Sequence, residues 1–524
     1  MAQESRQAWG SKLGIIMAVA GSAVGLGNFL RFPVQAAQNG GGAFMIPYFV
    51  ALLLLGIPLM WIEWSLGRFG GGFGHGTAPG IFHSLRQKNR FIKYFGVIGI
   101  FGPLVILVYY TYIESWTLAY SFFALTGKYA GATTQAQLQS FLSAFQGLES
   151  NQYFNSLRTA YIFFLVTFAL NIFVLYHGIR GGIEKLCNVA MPALIIFGVL
   201  IAARVLMLGA PDPLKPGWNS LNGLGFLWNP DLTMLKDPKV WLAAAGQIFF
   251  TLSVGIGVIL TYASYLKKTE DVTLSGLTAA GMNEFAEVII GGSIVITAAF
   301  VFFGPSGAQE VAKSGSFNLG FVTMPAIFCR IPLTAVFGFL WFLMLFLAGV
   351  TSSVSLSQPA VAFLEDEFNL SRKKALAILT VVFFVLCQPA IFFLGKGVVD
   401  EMDFWGGTFC LVLFATIETI LFTWVFGMDR AWEEMHHGAA LRIPGAYKFI
   451  MRYVTPLFLI VILGSYLLSD NGRNRILMAG VPEENRPYIL GTRLLLLGVL
   501  SGLIILVNLA WRKRRAHPGQ GGGK

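Results

Sequence analysis

Apolar runs long enough to cross a bilayer recur along the whole chain, separated by short polar connections. They fall near residues 11–37, 43–67, 94–125, 159–176, 187–208, 240–266, 276–304, 333–363, 374–394, 399–426, 447–469 and 488–511. A hydrocarbon core about 30 Å thick takes roughly 20 apolar residues in helical form. The pattern therefore predicts an all-α polytopic membrane protein with twelve transmembrane helices. Three connections carry patterns of their own. Residues 126–158 are polar enough for an outer loop with a helix, residues 209–239 are rich in Pro, Asn and Trp like an ordered loop, and residues 304–332 read as a re-entrant loop over a vestibule. Gly70-Gly71-Gly72 reads as a flexible turn, and the terminal GQGGGK as a disordered tail.

Two of the runs are interrupted. The first contains AGSAVGLGNFLR, Ala20 to Arg31, with Gly21, Gly25 and Gly27 followed by Asn28 and Arg31. Glycine costs about 1 kcal/mol per position in a helix interior, and a peptide group freed in hydrocarbon finds no water. A broken helix whose exposed peptide groups line an enclosed site fits these residues. A small-residue packing face for a neighbouring helix accounts for the glycines but leaves Asn28 and Arg31 as unexplained costs. The sixth run repeats the pattern: Ala23-Val24-Gly25-Leu26-Gly27 returns as Ser253-Val254-Gly255-Ile256-Gly257, 230 positions later. Interrupted spans at corresponding places in two halves point to a binding site built on a 5+5 inverted repeat, with broken helices 1 and 6. On this reading the chain is a single transmembrane transporter domain, with repeat one over about 11–208, repeat two over about 240–426 and two appended helices over 447–511.

Composition agrees with the membrane reading. Of 524 residues 55% are hydrophobic and only 12% charged, with mean hydropathy +0.67, where a soluble domain carries about 25% charged residues. The formal charge of +11 does not indicate nucleic acid, because the basic residues sit in short clusters between spans. With both termini cytoplasmic, about 23 basic residues lie inside and about 13 outside, the sign that the positive-inside rule expects. Only about ten residues precede the first run and no A-x-A site follows it, so it is expected as a retained helix and not a cleaved signal. Cys187, Cys329, Cys387 and Cys410 are scattered without ligand spacing, and the six histidines form no HxxxH pair. There is no GxxxxGK[ST] loop, and the glycines of the first run have no preceding strand, as a dinucleotide fingerprint requires. With no nucleophilic triad in a plausible arrangement, no enzyme is expected.

The segment GSAVGLGNFLRFPVQAAQNGGGAFMIPY resembles the first two helices of the neurotransmitter:sodium symporters, and their bacterial leucine-transporting branch most closely. The likeness continues in order through YYTYIESW, GQIFFTLSVGIG, TYASY, NEFAEVIIGGS, AGVTSS, AFLEDE and DEMDFWGGT. The resemblance implies a sodium-coupled symporter that takes up a neutral amino acid by alternating access, with two sodium ions per substrate, in a plasma membrane of bacterial inner-membrane type. A homodimer stays open, as does an amino-acid-gated sensor or channel on the same scaffold. A proton-driven carrier of this overall fold would not need the sodium ligands named below.

Residue by residue, the resemblance implies that Leu26 and Gly27 offer backbone amides to a substrate carboxylate, joined by the Tyr110 hydroxyl, while carbonyls near Ala23, Phe250, Thr251 and Ser253 face the amine. The side-chain pocket would be lined by Ile106, Tyr110, Phe250, Ser253, Ile256, Ser352 and Leu356, with no partner for a charged group. Here the chain departs from the leucine-transporting pattern, with Ile256 at an aromatic position and Ile106 at a valine position, so aliphatic substrates are expected and aromatic ones remain open. One sodium would take the Ala23 carbonyl, Asn28, Thr251, Asn283 and the substrate carboxylate. The other would take the Gly21, Val24 and Ala348 carbonyls with the Thr351 and Ser352 hydroxyls, hard oxygen ligands for a hard cation. Such Asn, Ser and Thr residues also serve to tie helices together. Glu287 stands in an apolar span near the positions, Tyr48, Gln247, Thr251 and Asn283, where chloride-dependent relatives hold chloride, so it is expected to supply the anion and make transport chloride-independent. Proton export through Glu287 on the return step is a second expectation. Arg31 with Asp403, above a lid of Tyr110 and Phe250, and Arg6 with Asp366, near Trp9 and Tyr265, are the expected gates. Glu63 is assigned to amides freed at a break, and Glu114 and Glu418 to structural roles.

Overall fold

A computed structural model describes residues 8–516 save 90 and 133, so Arg6 and the GQGGGK tail lie outside the described residues. Among the described residues ten helices are long and apolar enough to span a membrane, and the pair Lys12–Ala23 and Leu26–Gln38, bent by 47°, makes an eleventh span. A second interrupted pair, Pro238–Thr251 and Val258–Ala263, completes twelve. We number the spans in chain order: α1 is the bent pair, α2 Gly42–Gly71, α3 Ile92–Thr126, α4 Arg158–Tyr176 and α5 Ile179–Leu206. The second interrupted pair is α6. After it come α7 Thr273–Lys313, α8 Thr334–Phe368, α9 Arg372–Phe392, α10 Val398–His436, α11 Ala446–Leu468 and α12 Arg486–Arg514. No strand forms among the described residues. A single bridge pairs Gly41 with Pro230.

Burial separates an inner set of helices from an outer one. The most apolar stretches of α3 and α7 are 83% covered by protein, against 22% for α11 and 28% for α12. The outer helices thus leave apolar faces for lipid, and the inner ones enclose the two breaks. The long outer connection does contain a helix, Gln135–Phe145, whose Phe141 and Phe145 pack edge-on against Tyr120 of α3. The loop before α6 is ordered by the helix Ser220–Trp228, capped by the Asn219 side chain.

Two expectations change in detail. The re-entrant loop at 304–332 is two helical legs: α7 turns sharply at Gly304 (φ 71°) and continues to Lys313, and a second leg runs Ser316–Phe328. Gly304 is required there, because a Cβ would lie 2.4 Å from the Trp218 ring. The Gly70-Gly71-Gly72 segment is a place of close approach and not a slack turn. A Cβ on Gly71 would stand 2.1 Å from the Ser264 carbonyl oxygen, and one on Gly70 2.5 Å from Ile81.

Candidate functional site

The first break is made by Val24 and Gly25. Val24 leaves helical geometry (ψ 88°) and Gly25 is extended, after which Asn28 accepts the Gly25 N–H at 2.9 Å and caps the second half of α1. The side chain that looked costly in an apolar run thus satisfies a freed amide. In α6 the chain passes through Ser253 (φ 52°), Gly255 (φ 74°) and Gly257 (φ 87°), left-handed conformations that suit glycine. The two breaks face each other, since the Ser253 hydroxyl donates to the Ser22 carbonyl at 2.9 Å. A Cβ on Gly27 would stand 2.5 Å from the Phe250 ring, so this glycine lets the ring lie against α1.

Between the breaks several side chains converge. The Leu26 N–H donates to the Tyr110 hydroxyl at 3.1 Å, and a Cβ on Gly25 would be 3.0 Å from both Tyr110 Oη and Ser352 Oγ. Ile106, Ile256 and Leu356 are buried. The Arg31 guanidinium lies 4.2 Å above the centre of the Phe250 ring, a cation–π contact of roughly 0.5–2 kcal/mol. Arg31 and Asp403 do not form a direct ion pair. Asp403 instead accepts the Tyr109 hydroxyl at 2.6 Å, so Tyr109, beside the tyrosine singled out from sequence, holds the acid that was expected to pair with Arg31.

Two polar clusters flank these side chains. In one, the Asn28 amide nitrogen lies 3.2 Å from Thr251 Oγ1 and 2.8 Å from the Asn283 carboxamide, and that carboxamide approaches the Ala23 carbonyl oxygen to 3.3 Å. Glu287, fully buried, borders this cluster and accepts from Gln247 Nε2 at 2.9 Å, the Tyr48 hydroxyl at 3.1 Å and the Thr251 hydroxyl. Sequence reasoning missed Glu284, whose carboxylate also lies 2.7 Å from the Tyr48 hydroxyl. Glu287 occupies a π-helical turn, Phe285–Gly291, and Asp403 opens another, Asp403–Phe409. Such turns frequently mark functional positions, and no residue pattern announced them.

In the other cluster, Ser352 Oγ lies 3.3, 3.2 and 3.0 Å from the Gly21, Ser22 and Ala348 carbonyl oxygens. Thr351 Oγ1 lies 2.9 Å from the Leu347 and 3.2 Å from the Ala348 carbonyl oxygen. Gly21 allows this approach, because a Cβ there would be 3.2 Å from Thr351 Cβ. Val24 is buried in the adjacent break. At the end of the bundle that carries both termini, Trp9 donates to the Tyr262 carbonyl at 3.0 Å, Gln358 donates to the Tyr265 hydroxyl at 3.1 Å, and the Asp366 carbonyl accepts from Arg514 at 3.1 Å. Glu184, which the sequence did not single out, accepts from the Gly10 N–H at 2.7 Å and the Ser11 hydroxyl at 3.0 Å. Glu63 meets the expectation made for it and accepts the Gly255 N–H.

Twelve apolar spans, two of them interrupted at facing points where freed peptide groups meet, define a multi-pass membrane carrier. The chain belongs to the sodium:neurotransmitter symporter family, whose sequence pattern matches residues 6–140 and 139–474. It is 32% identical over 495 residues to an uncharacterised sodium-dependent transporter of Methanocaldococcus jannaschii, covering 94% of this chain and 95% of the relative. It is also 25% identical over 499 residues to the sodium-dependent serotonin transporter of Drosophila melanogaster, covering 88% of this chain and 76% of that one. Among solved structures, MhsT in complex with L-phenylalanine superposes with a TM-score of 0.73 at 29% identity, covering 88% of this chain and 100% of the other. The family is one of sodium-dependent transporters, not of enzymes.

Proposed function

We propose that the protein is a sodium-coupled symporter that takes up a neutral, hydrophobic amino acid by alternating access, with two sodium ions per substrate and no need for chloride. The observation that carries this reading is the meeting, beside the breaks, of a Leu26 amide and the Tyr110 hydroxyl, with Ile106, Ile256 and Leu356 buried. Oriented donors suit a carboxylate, and apolar walls suit an uncharged side chain. The amine takes carbonyls at Ala23, Phe250, Thr251 and Ser253. MhsT, solved with L-phenylalanine, supports admitting aromatic as well as aliphatic substrates.

The Asn28, Thr251 and Asn283 cluster, with the Ala23 carbonyl, binds the first sodium and leaves it beside the substrate carboxylate, which couples the two. The Gly21, Val24 and Ala348 carbonyls with Thr351 and Ser352 bind the second. Glu287 supplies the negative charge beside the first sodium. Arg31 over Phe250 serves as the outer lid, and Arg6 with Asp366 as the inner gate. Both termini face the cytoplasm of a bacterial inner membrane, the chain acts as one domain of two inverted repeats with two appended helices, and a homodimer is compatible with the exposed outer helices. One charge moving down 100 mV releases about 2.3 kcal/mol and a tenfold gradient adds about 1.4 kcal/mol, so two sodium ions provide roughly 7 kcal/mol and an accumulation ceiling near 10⁵-fold at tight coupling.

Uptake of radiolabelled amino acids into proteoliposomes, with sodium replaced by potassium and chloride by gluconate, tests this reading. The expected result is accumulation of a neutral hydrophobic amino acid that requires sodium and ignores chloride. Uptake indifferent to sodium would overturn the two cation sites, and ligand-gated current without accumulation would favour a sensor.

A further inference from the structure

Close to the connection between α10 and α11 both helices leave regular geometry, in the π-helical turns Leu421–Gly427 and Ile450–Val454. The indole N–H of Trp424 donates to the Arg452 carbonyl at 2.7 Å and ties one turn to the other. The turn in α10 ends at Gly427, with φ 100° and open space where a Cβ would be. Between the turns lies a recess of about 380 Å³, lined by Thr423, Trp424, Gly427, Asp429, Arg452 and Tyr453. It belongs to the end of the bundle where α1 begins, since the Ala440 N–H of the connection donates to Asp271 at 3.0 Å and Asp271 pairs with Lys12 at 3.5 Å.

Two charged groups in this recess keep capacity for a ligand. The Arg452 guanidinium rests 5.4 Å from the centre of the Tyr453 ring and donates no hydrogen bond among the described residues. Asp429 Oδ1 pairs with Lys448 at 2.7 Å, while Oδ2 accepts no hydrogen bond among the described residues. Both stand where lipid surrounds the protein, because only 22% of the most apolar stretch of α11 is covered. Arg452 lies about 9 Å along α11 from its start at Ala446, and a cation at the edge of the hydrocarbon is costly unless an anion meets it. Trp424 and Tyr453 are exposed, as aromatic side chains at a membrane interface are. Farther along α11, toward the middle of the span, Leu457, Ile460 and Val461 are exposed as well. An inorganic anion would account for Arg452 but for neither the carboxylate beside it nor the apolar track. A lipid with negative charge alone would be opposed by Asp429.

We propose that the recess between α10 and α11 binds a membrane phospholipid with a phosphoethanolamine headgroup, its phosphate on Arg452 and its primary ammonium on Asp429. The planar fork of an arginine matches two phosphate oxygens, and pockets of basic side chains between spans take lipid headgroups in this way. The ammonium meets Asp429 Oδ2 and leaves Lys448 on Oδ1. A choline headgroup has no N–H to donate there, so it is held less well. The acyl chains follow Leu457, Ile460 and Val461, a contact that a soluble phosphate ester cannot make. The bound lipid fastens α11, which the rest of the protein covers little, to α10.

Native mass spectrometry of the full-length, delipidated protein in detergent tests the site without any transport, so its outcome stands apart from that of the uptake experiment. The titrants are dioleoyl phosphatidylethanolamine, phosphatidylcholine and phosphatidylglycerol, and glycerophosphoethanolamine as the headgroup without chains. Phosphatidylethanolamine is expected to bind the wild type at least about tenfold more tightly than phosphatidylcholine, and Arg452→Gln to weaken it at least about tenfold. Asp429→Asn, which keeps the phosphate contact, is expected to erase the preference over phosphatidylcholine. The headgroup alone is expected not to bind in the same concentration range. Both side chains are exposed, and the lipid-free thermal midpoint checks that each variant folds; if Arg452→Gln does not, the Asp429→Asn comparison decides alone. Equal affinity of phosphatidylethanolamine for wild type and Arg452→Gln, a preference for either other lipid, an unchanged preference in Asp429→Asn, or binding of the headgroup as tight as that of the whole lipid overturns the proposal.

Discussion

Glu287 is surrounded by Gln247, Thr251 and Tyr48, all of them neutral donors, and is fully buried. A buried carboxylate stabilised by hydrogen bonds alone is costly, and the adjoining oxygen cluster of Asn28, Thr251 and Asn283 supplies the reason to keep it there if a cation sits in that cluster. Glu287→Ser removes the charge and leaves space for an anion. Sodium-driven uptake by this variant is expected to fall at least about tenfold in gluconate, equivalent to about 1.4 kcal/mol, and to recover in chloride. Equal uptake in both salts would exclude the anion role. Glu287 was legible because a carboxylate in an apolar run stands out against its neighbours. Tyr109 and Glu284 were not, because their importance comes from partners 294 and 236 positions away in sequence. Neither side chain is unusual in its own stretch of chain.

The same contrast holds for whole elements. The twelve spans and both breaks were legible, because hydrophobic run length and clustered glycines are local properties of the chain. The ends of α7 and the role of Gly70 and Gly71 were not, because they depend on Trp218, Ile81 and Ser264 arriving from elsewhere. Glycines of α6 separate the two cases. Gly255 combines a positive φ of 74° with the Leu411 carbonyl oxygen 2.6 Å from where a Cβ would lie, whereas Gly246 has open space. A Cβ in the left-handed region costs roughly 1–2 kcal/mol before any clash, while an alanine in an ordinary helical position gains up to about 1 kcal/mol. Gly255→Ala should therefore lower the thermal midpoint in detergent and abolish uptake, and Gly246→Ala should leave the midpoint unchanged or raise it with uptake intact. If the two variants behave alike, the break of α6 does not need its glycine.

At the scale of the molecule, the first and last described stretches of the chain are fastened to the same end of the bundle. Gly10 and Ser11 bind Glu184, Trp9 binds the Tyr262 carbonyl, and Arg514 from the end of α12 pairs with Glu367 at 3.1 Å while lying 3.2 Å from His75. Trp511 sits at the centre of this region, stacked on His75, edge-on to His83 and under the Lys93 ammonium at 4.8 Å. His83, on the short helix Ala78–Leu85 outside the spans, is held below the usual histidine range, chiefly by burial and then by the neighbouring His75 and Lys93, with the Asn89 backbone and Glu367 opposing. A histidine whose folded pKa is lowered binds its proton more readily in the unfolded chain, so its contribution to stability is present at neutral pH and lost as pH falls below about 6.5. The expected outcome is that the thermal midpoint drops on acidification from pH 7 toward about pH 5, and that His83→Gln, which cannot take up a proton, reduces the drop. A variant with the full wild-type acid dependence would mean that the packing around Trp511 does not depend on a neutral His83.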